Sequence, residues 1–201
     1  MMLRRIGIAV LLLLCLYGGY RFWLVQDTLT RMSRDTMGAF IGPAKAENIV
    51  VEFVDYRCGG CRAFQPTIME FSRRHPDVKI VFRHYPLYAE PSVREASMAL
   101  ASAAQGKFLA MHEYLMSREQ PVDEREIPQI ASQLGLDGDR LKKDVKSPDI
   151  GMRLLQTLDA TDILGIDGAP SFLLNGTLYA PHGPMPDIEH FDAVFSRYRK
   201  N

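Results

Sequence analysis

The feature that most narrows the fold of this chain is a strand signal that runs almost directly into a cysteine pair. Ile49-Val50-Val51-Glu52-Phe53-Val54 is apolar at every position but one and rich in β-branched residues, the pattern of a strand buried on both faces. After three more residues comes Cys58-Gly59-Gly60-Cys61. From Cys58 to about Arg74, Ala63, Phe64, Ile68 and Phe71 then recur at helical spacing, with Pro66 inside the run removing a backbone donor and predicting a kink. A strand covered on both faces calls for helices packed against a sheet, so the expected class is α/β.

The position of the cysteine pair also defines its chemistry. A helix start presents unpaired N–H groups and the positive end of the helix dipole, which stabilise a thiolate and lower its pKa below the free value of about 8.5. Cys58 is therefore expected as the exposed nucleophile. Cys61, one turn inward and shielded, is close enough to form a disulfide with it and to act as the resolving thiol. Arg57 and Arg62 flank the pair and would favour the thiolate further. A structural zinc would need two more ligands. The third cysteine, Cys15, lies in an apolar segment, and no two of His75, His84, His112, His182 and His190 stand at ligand spacing, so no metal site is expected. His84 and His112 read as structural or surface residues. Asp55 and Tyr56 either shape the rim of the site or belong to ordinary loop packing.

The remaining elements follow from periodicity and breakers. Val78 to His84 reads as a second strand. Ser92 to Leu115 reads as one or two helices joined near Gly106, with further helices over about 123–134, 138–145 and 149–164. Ser171–Leu174 and Thr177–Tyr179 flank Asn175-Gly176, a strong hairpin signal, and 187–198 closes the chain as a helix.

The stretch Val50 to Phe64, VVEFVDYRCGGCRAF, resembles the strand, active site and helix start of the thioredoxin superfamily, and within it the DsbA-like disulfide oxidoreductases of the bacterial envelope. The resemblance implies a thioredoxin fold with a helical insertion domain. Its halves would lie at 42–90 and 165–201, with the insertion over 91–164. It places Glu52, six positions before Cys58, where the family has a buried acid that exchanges a proton with the inner thiol, and Pro66 at the helix-kinking proline. Gly168-Ala169-Pro170-Ser171-Phe172 resembles the cis-proline loop, so Ala169 and Pro170 would bind substrate backbone. It further implies protein clients with thiols or disulfides, a membrane redox partner, and no cofactor beyond the Cys58–Cys61 disulfide. Gly59-Gly60 departs from the Pro-His of the strong oxidase, whose histidine helps hold the thiolate. A potential below roughly −120 mV, nearer −200 mV, is expected. The oxidising direction is the leading reading. Reductase or isomerase action, a non-enzymatic peptide-binding or holdase role, and metal delivery are the alternatives.

The N-terminus sets the location. Ile6 to Tyr20 carries no charge, and Ile6 to Val25 counts twenty residues, enough to span about 30 Å of hydrocarbon, with Tyr20, Phe22 and Trp23 as an interfacial belt. No small-residue cleavage site follows, which favours an uncleaved signal-anchor or transmembrane helix over 1–26, holding the protein to the inner membrane through residues 6–25, over a cleaved signal that would release it. Arg21 shortens the uninterrupted run and argues the other way. Residues 27–41 form a linker with helical potential: Leu29, Met32 and Met37 fall near one face, a surface for oligomer formation or simply a polar spacer. Disulfide donation needs an oxidising compartment, so the domain is expected on the periplasmic face. With 24 basic and 24 acidic residues in all, and 21 against 24 beyond residue 26, the chain has no field that would recruit nucleic acid.

Overall fold

A computed structural model describes residues 2–34 and 37–200. The apolar run of β2 (Asn48–Val54) becomes the centre of a five-stranded sheet in the order β1-β3-β2-β4-β5. β2 pairs in parallel with β3 (Val78–His84), which sets Val54 opposite His84. On its other side it pairs antiparallel with β4 (Ser171–Leu174), which sets Phe53 opposite Ser171. β5 (Thr177–Tyr179) completes the predicted hairpin, with Asn175 and Gly176 at φ 49° and 89°, the left-handed pair that a two-residue hairpin requires. β1 (Phe40–Ile41) is an edge strand antiparallel to β3 that the sequence did not announce, because two residues are too few to show an alternation. Gly42 ends it at φ 86°, where a Cβ would stand 2.2 Å from the Val78 carbonyl oxygen, so only glycine fits.

The period-two alternation divides β2 between two cores. Val50 and Val54 join Ile80, Phe82, Phe172 and Leu174 in the larger core. That core is filled from α2 (Gly59–Arg74) by Phe64, Ile68 and Phe71, and from α8 (Ile188–Ser196) by Phe191 and Phe195. Val51 and Phe53 face the opposite way and pack with Val81, Leu173, Ala160, Ile166 and Met32. Glu52 has the parity of Val50 and Val54, so its carboxyl enters the larger core under α2. Between β3 and β4 stand α3 (Ala89–Ala103), α4 (Phe108–Ser117), a short 3-10 turn at Glu124–Glu126, α5 (Ile127–Leu134), α6 (Gly138–Asp144) and α7 (Pro148–Leu164).

α1 (Met2–Ser33) carries the apolar N-terminal segment and is the one candidate membrane span among the described residues. It does not stop at residue 26. It continues through the expected linker to Ser33, and Thr28 and Met32 are buried against the domain, so this stretch is no polar spacer. Arg83 of β3 explains the docking: its Nε donates to the Met32 carbonyl at 2.9 Å and its Nη2 to the Arg31 carbonyl at 3.0 Å and to that of Arg34. A buried guanidinium thus satisfies carbonyls that a helix C-terminus leaves without partners. Leu29 and Met32 pack on the smaller core, whereas Met37 lies past the helix and packs on the larger one, so the three do not share a face. Asp35 and Thr36 of the expected linker lie outside the described residues.

Candidate active site

Cys58 is the N-cap of α2, with extended backbone at φ −75° and ψ 120°. Its own N–H donates to the Asp55 carbonyl at 3.1 Å, and its carbonyl accepts from Arg62 N–H at 3.2 Å, so the turn and the first helical bond close around it. Cys61 is wholly buried one turn further in, and its sulfur lies 3.5 Å from the Asp55 backbone nitrogen. Both cysteines are thiols in this structure. The Cys58 thiol is pulled down to about 6, first because the Cys61 thiol donates to its sulfur and then through the backbone N–H groups of Cys61 and Gly60. Burial and the Asp55 charge act against that fall. Cys61 moves the opposite way, raised by its bond to Cys58, by burial and by the Glu52 charge. One sulfur is poised to ionise near neutrality and the other to stay protonated.

Cys58 is less open than expected, at 7% exposure. The cause is the loop before β4. The Ala169–Pro170 bond is cis, as the resemblance implied, and the Cys58 thiol donates to the Ala169 carbonyl at 3.1 Å. Gly60 allows this approach: a Cβ there would stand 3.2 Å from Pro170 Cδ and 3.7 Å from the Cys58 sulfur. Gly59 faces open space. The two glycines are thus unequal, one admitting the loop and the other facing outward.

Glu52 is fully buried, set between Phe82 and Phe172 in register across the sheet, and neither carboxylate oxygen has a hydrogen-bond partner in the described structure. Desolvation pushes its carboxyl up from 4.5 to about 8. A neutral carboxylic acid at pH 7 on the Cys61 side of the sheet can hold a proton or pass one on. Cys58, Cys61, Glu52, Ala169 and Pro170 therefore converge at the end of β2.

The flanking arginines do not serve the thiolate. Arg57 turns into the helical block, its Nε 2.7 Å from Glu95 Oε2, with side-chain exposures of 7% and 0%, and it donates to the carbonyls of Glu119 and Arg118. Arg62 donates to the Tyr56 carbonyl. Sequence reasoning missed this pair. Its one signal was an acid, Glu95, in the middle of the Ala- and Ser-rich helix α3. It also left open the role of Tyr56, whose hydroxyl is 3.0 Å from both His84 Nε2 and His112 Nδ1, while His112 Nε2 is 3.0 Å from Gln65 Oε1. Donation by the His112 Nε2–H to Gln65 makes Nδ1 the acceptor for the Tyr56 hydroxyl, whose oxygen then accepts from His84. Burial brings both histidines down to about 3, so this chain is neutral at physiological pH.

Comparison with known proteins agrees with the geometry. A family model described as thioredoxin matches residues 34–191. A thioredoxin-like oxidoreductase from Silicibacter pomeroyi is similar in structure, with a TM-score of 0.74 and 28% identity over 83% of this chain and 94% of that one. The thiol-disulfide exchange protein alpha-DsbA2 of Wolbachia pipientis shares the fold, with a TM-score of 0.75 and 20% identity over 87% and 95% of the two chains. Among curated proteins, the Na(+)/H(+) antiporter NhaA 3 of Salinispora tropica is 32% identical over 158 residues, which is 76% of this chain and 23% of that protein. The chain thus spans about a quarter of the length of the first curated relatives it matches. With β2 delivering a Cys-Gly-Gly-Cys turn to the tip of α2 beside a cis-proline loop, and with residues 34–191 matched throughout, this chain belongs to the thioredoxin family and has the DsbA-like form of its fold.

Proposed function

We infer that the chain is a thiol–disulfide oxidoreductase that exchanges disulfides with protein clients through Cys58 and Cys61, in the oxidising direction, on the periplasmic face of the inner membrane to which α1 holds it. The observation that carries this reading is the geometry of one helix end, with Cys58 capping α2 against the cis-proline loop and Cys61 buried one turn behind it, which lowers the first thiol to about 6 and raises the second. In the oxidised enzyme a client thiolate attacks the Cys58 sulfur, the Cys58–Cys61 bond breaks, and Cys61 leaves with the electron pair. Protonated Glu52 supplies the proton that turns this buried thiolate into a thiol. A second client thiolate then attacks the client sulfur of the mixed disulfide and expels Cys58, a good leaving group because its thiolate is stabilised. The client loses two electrons and the enzyme gains them as a dithiol, which a membrane protein bearing a disulfide reoxidises. No cofactor beyond the cysteine pair takes part.

Several details support the finer points. Ala169 and Pro170 border the Cys58 sulfur, so an extended client segment would pair with the backbone of residue 169. The Cys58 value lies between those of a strong oxidase, about 3.5, and a free thiol, about 8.5, in keeping with an intermediate potential. The likeness to sodium/proton antiporters covers a quarter of those proteins and lends no support to transport.

Reduction of insulin disulfides by dithiothreitol, followed by turbidity, tests the chemistry: wild type should accelerate it and Cys58→Ser should not. Equal rates with and without the protein would end the reading. Acid-trapping the thiols in cells tests the direction, with Cys58 and Cys61 mostly disulfide-bonded for an oxidase. A mostly reduced pair would make it a reductase or isomerase.

A further inference from the structure

Asp55 follows the last residue of β2 and is 2% exposed. Its carboxylate receives three neutral donors at short range: Leu87 N–H on Oδ2 at 2.6 Å, Arg57 N–H on Oδ1 at 2.7 Å, and the Ser92 hydroxyl on Oδ1 at 2.8 Å. Its backbone reaches both cysteines, accepting from Cys58 N–H at 3.1 Å and bringing its own nitrogen to 3.5 Å from the Cys61 sulfur. Leu87 lies in the β3–α3 connection and Ser92 in α3, so one side chain joins the end of the central strand, the Cys58 turn and the helical block. A negative charge beside a thiol that must ionise works against the chemistry, and its presence needs a reason. The reason is acceptor count: a carboxylate accepts from every side, whereas an amide would turn an NH2 toward at least one of these donors.

We propose that Asp55 is a positioning residue of the thiol site, its carboxylate fixing the Cys58 turn to α3 and setting a negative charge beside the exchanging thiol. That charge works against thiolate formation at Cys58. This rests on Cys58 being the exchanging thiol. The other titratable groups around the site are balanced or neutral, with Arg62 the exception. Arg57 is neutralised by Glu95 of α3, and Glu52 of β2 stays protonated up to about pH 8. Tyr56, His84 of β3 and His112 of α4 form an uncharged chain. Arg62 of α2 keeps its charge and turns it to the Tyr56 carbonyl, and Cys61 stays protonated. Asp55 is set against neutral donors, so among the described residues no cation bonded to its carboxylate offsets its charge.

The test is the pH profile of iodoacetamide alkylation at Cys58 in the full chain, reduced and in detergent, for Asp55→Asn and Ser92→Ala, alongside urea unfolding midpoints. Asp55→Asn keeps the size and the acceptor for Arg57 and Ser92 while removing the charge. Its alkylation midpoint should fall, with about threefold more thiolate reactivity at pH 5. Ser92→Ala removes a donor that disperses the charge, and its midpoint should rise. An unchanged or raised midpoint in Asp55→Asn overturns the proposal. If that variant does not fold, Ser92→Ala decides, an unchanged or lowered midpoint being the contrary result. Alkylation reads thiol acidity and not exchange, so a wild type inactive on insulin would overturn the functional reading separately from this one.

Discussion

Replacing Glu52 with glutamine should stabilise the protein, and by an amount that depends on pH. The carboxyl is wholly buried without a partner and its pKa rises from 4.5 to about 8. In the unfolded chain it ionises above about 4.5, and in the fold it resists until about 8. The folded state therefore loses stability relative to the unfolded one as pH climbs through that window, and loses nothing to this group below it. At about 1.4 kcal/mol per pH unit of displacement, the penalty is about 1 kcal/mol at pH 5, about 3 kcal/mol at pH 7 and close to 5 kcal/mol above pH 8. Glutamine has nearly the same shape and no charge to expel, so Glu52→Gln should regain these amounts. With a urea slope of about 2 kcal/mol/M, the unfolding midpoint of the full chain should move up by about 1.5 M at pH 7 and about 0.5 M at pH 5. The same variant should form mixed disulfides more slowly, because the leaving Cys61 would lose its proton source. Equal midpoint shifts at pH 5, 7 and 8.5 would refute the reasoning, since they would mean that the carboxyl is ionised, or solvated, in the fold.

Removing Cys61 as Cys61→Ala takes away the donor that most lowers Cys58, so the alkylation midpoint of Cys58 should climb from about 6 toward the free-thiol range, read by iodoacetamide kinetics against pH. Gly59→Ala, whose Cβ meets open space, should raise stability by about 0.5–1 kcal/mol through helix propensity, whereas Gly60→Val drives its branches into Pro170 and the Cys58 sulfur and should lower both the thermal midpoint and insulin turnover. Arg57→Met strands the wholly buried Glu95 and should cost about 3–5 kcal/mol in denaturant titration. Arg83→Met removes a cation shared by three carbonyls at the end of α1, and limited trypsin digestion should then cut after Arg31 faster than in wild type.

Where function depends on local pattern, the residues announced it. β2, the cysteine turn, α2 and the Asn175-Gly176 hairpin rest on alternation, helix-start electrostatics and left-handed turn chemistry, all properties of neighbours in the chain. The acid at 52 was visible as a carboxylate in an apolar strand. What escaped notice depends on partners far away in sequence. Arg57 looked like a cation beside a thiolate, but Glu95 lies 38 positions on and takes it into the helical block. Tyr56 fits the rim of the site and loop packing equally well from its neighbours, and its role shows only when β3 and α4 bring two histidines to its hydroxyl. α1 is the same kind of case: the period of Leu29 and Met32 showed an apolar face, but only Arg83, fifty residues away, shows what that face and the helix end dock against. The cover over Cys58 came from residue 169, and no rule of spacing would have placed its carbonyl on the sulfur.

The account turns on one cysteine being acidic and reachable while its neighbour is neither. Alkylating the reduced full chain across pH 4 to 9 and mapping the adducts by mass spectrometry reads both thiols at once. The prediction is a single titration at Cys58 with its midpoint near pH 6, and no adduct on Cys61 until the protein unfolds. Modification of Cys61 first, or of both thiols together near pH 8 to 9, would contradict it.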